Sequence, residues 1–195
     1  CTAKDNGGTY GIFAGEGSTL IGCTAFSNDA EHGIHADLRS TVKDCTASGN
    51  DSAEADSWGI SVGIQSTISG CTATANTNTN GTPTGSTGGG IQAGSSSHVQ
   101  NCTAVGNKGD GIQVNADARV VGNNCDSNGF GGDGAGIHSL GADNRIEGNN
   151  VTHNTRGIDI DVSGNLIIKN GAATNGSNYE IAGGNAVGAI VAAAA

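Results

Sequence analysis

The chain has 195 residues, 35 of them Gly, with one Pro, no Met and only 3% aromatic residues, too few large side chains to fill a conventional globular core. The composition therefore points to a thin, elongated fold. A net charge of −10 disfavours phosphate backbones and anionic lipid as partners, and no apolar run approaches the roughly 18 residues needed to cross a bilayer, so no nucleic acid partner and no membrane insertion are expected.

Cys1 is not an initiator residue and falls inside a repeat position, so upstream coils or a neighbouring chain are expected to cover that end. From there CTAxxN recurs at 1–6, 23–28, 45–50, 71–76 and 102–107, and degenerate copies begin at Asn123, Asn149 and Asn170. Each copy is followed by a Gly-Ile-x-small unit with its Ile at 12, 34, 60, 91, 112, 137 and 158, and with Ile181 as the last variant. A third apolar column follows at Leu20, Val42, Ile68, Val99, Val120, Ile146 and Ile167. The spacing from Ile to the next Cys or Asn is 11 or 12 residues, and from there to the closing Asn it is always 5, so this part must stack in register. From the closing Asn to the next Ile it varies from 4 to 15, and every large insertion enters at one corner. Three short apolar strands per repeat of about 22 residues predict an all-β, single-stranded parallel β-helix of about eight coils. It runs from residue 1 to 191, and 192–195 form an Ala tail.

Cys1, Cys23, Cys45, Cys71 and Cys102 occupy one repeat position, later filled by Asn. Stacked neighbours have parallel Cβ vectors, which suit neither a disulfide nor tetrahedral metal ligation, so free buried thiols are expected. Cys125 falls instead in the Ala column and reads as core. The closing Asn column (Asn6, Asn28, Asn50, Asn76, Asn107, Asn128, Asn154, Asn175) is unbroken and predicts a ladder of stacked amides. A single outward Thr rank, Thr2 to Thr103, lies beside an irregular column, which argues against an ice-binding array.

GIHADLRSTVKDCTASGN, GIQVNADARVVGNNCDSN and RIEGNNVTHNTRGIDIDVSGNLIIKN resemble the right-handed parallel β-helix repeats of the pectate-lyase-like superfamily, closest to the carbohydrate-binding and sugar-hydrolysis β-helix repeats of secreted bacterial proteins. The resemblance implies an extracellular or cell-surface location and a polysaccharide partner. It also implies that the Gly-Ile strand lines a cleft walled by the insertions at 51–58, 77–89 and 129–135. The chain lacks the paired-Asp block of the hydrolases, the Asp-Pro-His of the uronate epimerases and the Arg-x-Pro-x-x-Arg of the pectate lyases. A binding, structural or adhesion module is therefore favoured over a polysaccharide lyase or glycoside hydrolase.

Strand alternation puts Phe13, His35, Ser61, Gln92, Gln113, His138 and Asp159 on the cleft floor, with a second column from Gly15 through Asp37 and Asn115 to Leu140 and Asp161. Gln92, Gln113 and Asn115 are candidate substrate contacts, and Trp58 and Phe130 are wall aromatics, able either to stack on a sugar or to pin their loops. Asp159 and Asp161 lie roughly 7 Å apart by strand geometry, beside His138 and Arg156, and these four are the candidate catalytic residues. Such a carboxylate pair suits hydrolysis with a water between the two, or Ca²⁺-assisted β-elimination. No metal site is assigned and no cofactor is established from the sequence; Ca²⁺ is the one candidate, with the acidic loop Asp51, Glu54 and Asp56 as a weak further place for it.

Overall fold

A computed structural model describes residues 1–53, 57–79, 88–130 and 132–189. Among them every strand pairing is parallel, none of the residues is helical, and the chain winds through eight coils. Two eight-stranded sheets and one of ten strands form its faces. The first contains the Thr-Ala strands from Thr2–Lys4 to Gly171–Ala173. The second runs from Thr19–Ile21 to Ala186–Val187. The third carries the Gly-Ile strands from Gly7–Ala14 to Ser177–Ile181. Stacking is in register: Ile34 pairs with Ile60, Ile60 with Ile91, Ile112 with Ile137, and Ile137 with Ile158. The last coil departs from expectation, because Ile158 pairs with Tyr179 and Ile181 pairs with Ile160. Tyr179 therefore closes the Ile column, its hydroxyl donating to the Asn170 carbonyl at 2.9 Å.

The bore is filled by Ile, Val, Ala and Cys, nearly all of them inaccessible to solvent. Each coil turns at three corners, and every corner has one construction. A residue with positive φ (Gly17, Arg39 or Gln65 at one corner, Gly22, Asp44 or Gly70 at the next, Gly49, Ala75 or Gly106 at the third) precedes an inward polar side chain. That side chain accepts the backbone N–H of the equivalent residue one coil earlier. At the Cys corner, Cys23 N–H donates to Cys45 Sγ (3.3 Å) and Cys45 N–H to Cys71 Sγ (3.4 Å), and where Asn takes over, Cys102 N–H donates to Asn123 Oδ1 (2.9 Å). Thiol and amide are interchangeable there because each caps the same orphan donor. All six cysteines are free, as the parallel stacking predicted.

The closing Asn column is the ladder expected, with Asn50 Nδ2 donating to Asn76 Oδ1 and Asn76 Nδ2 to Asn107 Oδ1, both at 2.9 Å. The corner of Gly17, Arg39 and Gln65 carries a ladder that the repeat pattern did not disclose: Ser40 N–H donates to Ser66 Oγ, Ser66 N–H to Ser97 Oγ, and Ala118 N–H to Asn144 Oδ1. The Asn column also explains the Gly before each Ile. A Cβ on Gly59 would lie 2.4 Å from Asn76 Nδ2 and 2.9 Å from the Gly90 carbonyl oxygen, so only Gly fits.

Candidate functional site

Strict alternation breaks at that Gly, and the residue two before each Ile shares a face with the residue one after it. Tyr10 stacks on Phe13 with ring centroids 5.1 Å apart, His32 on His35 at 5.2 Å, Gln113 donates to Asp110, and Arg156 pairs with Asp159. Strict two-residue alternation predicted the columns containing His138 and Asp161 but not this third one. It contains Tyr10, His32, Trp58, Gly89, Asp110, Ala135, Arg156 and Ser177, and its key member, Asp110, was missed. Aligning Asp110 on the repeat, two residues before Ile112, would have found it.

Asp110 is completely buried. Its Oδ1 accepts the Ala135 N–H at 2.6 Å, and its Oδ2 accepts Gln113 Nε2 at 3.1 Å and faces His138 Nδ1 at 2.9 Å. Ala135, small and directly above, leaves the carboxylate room to reach the next coil. On its other side, His138 Nε2 lies 3.5 Å from Asp159 Oδ2 and 3.3 Å from Asp161 Oδ2. Arg156 Nη1 is 2.5 Å from Asp159 Oδ2, and its Nη2 is 3.0 Å from Asp133 Oδ1, with Glu180 at 3.8 Å from Nη1. The four candidate catalytic residues thus meet, joined by Asp110, Gln113, Asp133 and Glu180. Two features differ from expectation. The facing carboxylate oxygens of Asp159 and Asp161 are within 4.8 Å of one another, not roughly 7 Å apart, and the His138 imidazole stands in the gap intended for a water.

Burial alone would lower the His138 pKa, but the hydrogen bond and charge of Asp110, with the charges of Asp159 and Asp161, outweigh it and raise it to about 9. Burial raises that of Asp159, against the opposing pull of His138 and Arg156 and with help from Asp161 and Glu180. His138 Nε2 makes no hydrogen bond although it is buried, and the partner of buried Asp159 Oδ2 is the Arg156 guanidinium. Five carboxylates therefore share this end of the groove with two cationic groups.

The remaining candidates are distributed along the face. Gln113 is buried as a partner of Asp110 and is not presented to a ligand directly. Gln92, beside it in register, accepts the Ser61 hydroxyl at 3.1 Å. Asn115 and Phe130 are exposed. Trp58 is 1% exposed, so its sugar-stacking role is corrected to that of a pin: its ring presses on Gly89, where a Cβ would fall 2.0 Å from Cζ3. His35 is not isolated either. It stacks on Tyr10 and lies 3.3 Å from Asp37 Oδ1, in a ring cluster that ends on exposed Phe13. Glu54 and Asp56, most of the 77–89 wall and the Ala tail lie outside the described residues.

Parallel coils and in-register ladders define a right-handed β-solenoid. The chain belongs to the right-handed β-helix family, whose model (right handed beta helix region) matches residues 1–173. Among solved structures it is similar to the A-module of the mannuronan C-5 epimerase AlgE4 of Azotobacter vinelandii (TM-score 0.69, 17% identity, covering 97% of this chain and 57% of that one). It is also similar to the Dettilon tailspike protein gp208 (TM-score 0.56, 14% identity, covering 88% and 43%). The chain thus spans about half the length of each. No curated protein sequence matches it.

Proposed function

We propose that the groove face binds an extended polysaccharide and that the protein works as an extracellular or cell-surface binding module. The observation that carries this is the make-up of the third sheet's outer face. A ring stack opens to solvent at Phe13, polar Gln92 and Asn115 follow, and a charged centre closes the row. Rungs about 4.8 Å apart extend that face over several sugar units. A β-helix carries both an epimerase module and a tailspike among the structures that resemble this one, which supports a glycan ligand for the fold. The excess of carboxylates favours a neutral chain, or a polyuronate bridged by Ca²⁺.

A second reading is favoured by the incompletely bonded, buried His138. Groups buried without full hydrogen bonding cluster at catalytic sites. Here His138, oriented by Asp110, would serve as acid and Asp161 as base, in place of the two-carboxylate mechanism. Affinity electrophoresis against neutral and uronate polysaccharides, with and without Ca²⁺, tests binding, and assays for new reducing ends and unsaturated products test cleavage. Retention that is weakened at least fivefold by Phe13→Ala, with no product, supports the binding module. Product formation lost in Asp161→Asn supports the second reading, and neither retention nor product on any polysaccharide overturns both.

A further inference from the structure

From the convergence of His138 Nε2, Asp159 Oδ2 and Asp161 Oδ2 we infer a binding site for a divalent transition-metal cation of the Zn²⁺ class. The three atoms lie within 4.8 Å of one another, and the two distances from the imidazole nitrogen are 3.5 and 3.3 Å. Two ligand atoms about 2.1 Å from a tetrahedral zinc stand about 3.4 Å apart, so the nitrogen and the oxygens are already spaced as ligands of one ion. Independent support comes from His138, which is 9% exposed and whose Nε2, facing both carboxylates, makes no hydrogen bond, while Asp159, 5% exposed, is held in place through the Arg156 ion pair on its Oδ2. A buried imidazole nitrogen aimed between two carboxylates without bonding either is placed to exchange its proton for a cation that all three groups share.

The surroundings are those of a metal-ligating histidine. Asp110, itself fully buried and fixed by the Ala135 N–H, faces Nδ1 at 2.9 Å and keeps the N–H there, so that the proton a cation displaces on binding is the one on Nε2. Gln113 holds Asp110 in turn. Arg156 shares Asp159 but is anchored separately by Asp133, through the ion pair and through donation to its carbonyl at 2.7 Å, so it does not fill the place between the carboxylates. A divalent charge offsets the local excess of carboxylates. Asp161, half exposed, opens the fourth position to solvent. One nitrogen and two oxygens select a borderline cation over Ca²⁺, which takes six to eight oxygen ligands. The site does not depend on the polysaccharide reading, since ion binding is measured without any glycan.

Calorimetric titration of the metal-free full chain with Zn²⁺ should show one saturable site and a rise in Tm, and Ca²⁺ should bind at least tenfold more weakly. Co²⁺ should give a tetrahedral visible spectrum without a sulfur charge-transfer band, which separates this site from the thiols. Asp161→Asn, at an exposed position that leaves the core intact, should weaken binding at least tenfold and His138→Gln should abolish it, whereas Asp37→Asn, in the other His–Asp pair of the groove, should not. Absence of a one-to-one site in the wild type, or equal Zn²⁺ affinity in Asp161→Asn, overturns the assignment.

Discussion

Ala75 sits at φ 52° and Gly49 at φ 57°, at equivalent corners of neighbouring coils, and the difference between them is the cost of a Cβ in the left-handed region. Ala75→Gly should stabilise the protein by about 1 kcal/mol and Gly49→Ala should destabilise it by a similar amount, measured as opposite shifts of the urea midpoint. Gly59 is a different case, since its Cβ would collide with a buried amide and a carbonyl. Gly59→Ala should cost about 3 kcal/mol, beyond any conformational term, because neither neighbour can withdraw without breaking a ladder bond. At His138 the sign of the pH dependence follows from a pKa raised from 6.5 to about 9. Its charged pairing contributes stability fully below about pH 6.5 and loses it as pH rises through about 9. Asp159 is also raised, so its contribution has the same sign and is likewise lost as pH rises through its folded pKa. Thermal unfolding between pH 6 and 10 should show a falling Tm in the wild type and a flatter profile in His138→Gln.

The strands are short, mostly three to five residues, and would not be stable singly; they persist because each has a neighbour on either side and each corner is capped by the next coil. Asn76 shows what a rung contributes. Its Oδ1 accepts both the N–H and the Nδ2 of Asn50, and its Nδ2 donates to Asn107 and to the Ala47 carbonyl. Asn76→Ala leaves buried donors and acceptors unpaired on two coils and should cost about 3 kcal/mol, whereas Asn6→Ala, in the exposed first rung, should cost less than about 1 kcal/mol by denaturant titration. The Cys column obeys the same logic with a weaker acceptor. Hydrogen bonding to Cys102 and burial, opposed by Cys45, push Cys71 up to about 12, and burial raises Cys125. Thiol titration should find only Cys1 reactive in the native protein and all six in non-reducing denaturant; two or fewer in denaturant would contradict the free ladder.

At the scale of the whole molecule, the rod separates what it needs to stand from what it offers to a ligand. Two sheets and three ladders carry the stacking, and every large change of coil length falls at the corner leading into the third sheet. That sheet can therefore change its outer side chains from coil to coil without loss of register, which is how a ring cluster at one end and a charged centre at the other coexist on one face. Far-ultraviolet circular dichroism should show a β spectrum, and a helix-dominated spectrum would be incompatible with the coil architecture.

The sequence by itself determined the solenoid, the number of coils, the Cys and Asn columns and the meeting of His138, Asp159, Asp161 and Arg156, because a fixed repeat turns sequence spacing directly into spatial neighbourhood. It placed the last coil two residues off, at Ile181 instead of Tyr179, since one substituted position removes the apolar mark that sets the register. Only the tertiary structure decided the rest. The break in alternation at the Gly before Ile112 places Asp110 beside His138, a placement that period-two alternation does not contain. Side-chain rotation then draws the two aspartates together around the imidazole, a separation fixed by local charge and space and not by strand rise. Trp58 was ambiguous for the same reason: its residue type suits a sugar platform, and only its contact with Gly89 one coil on makes it a buried pin.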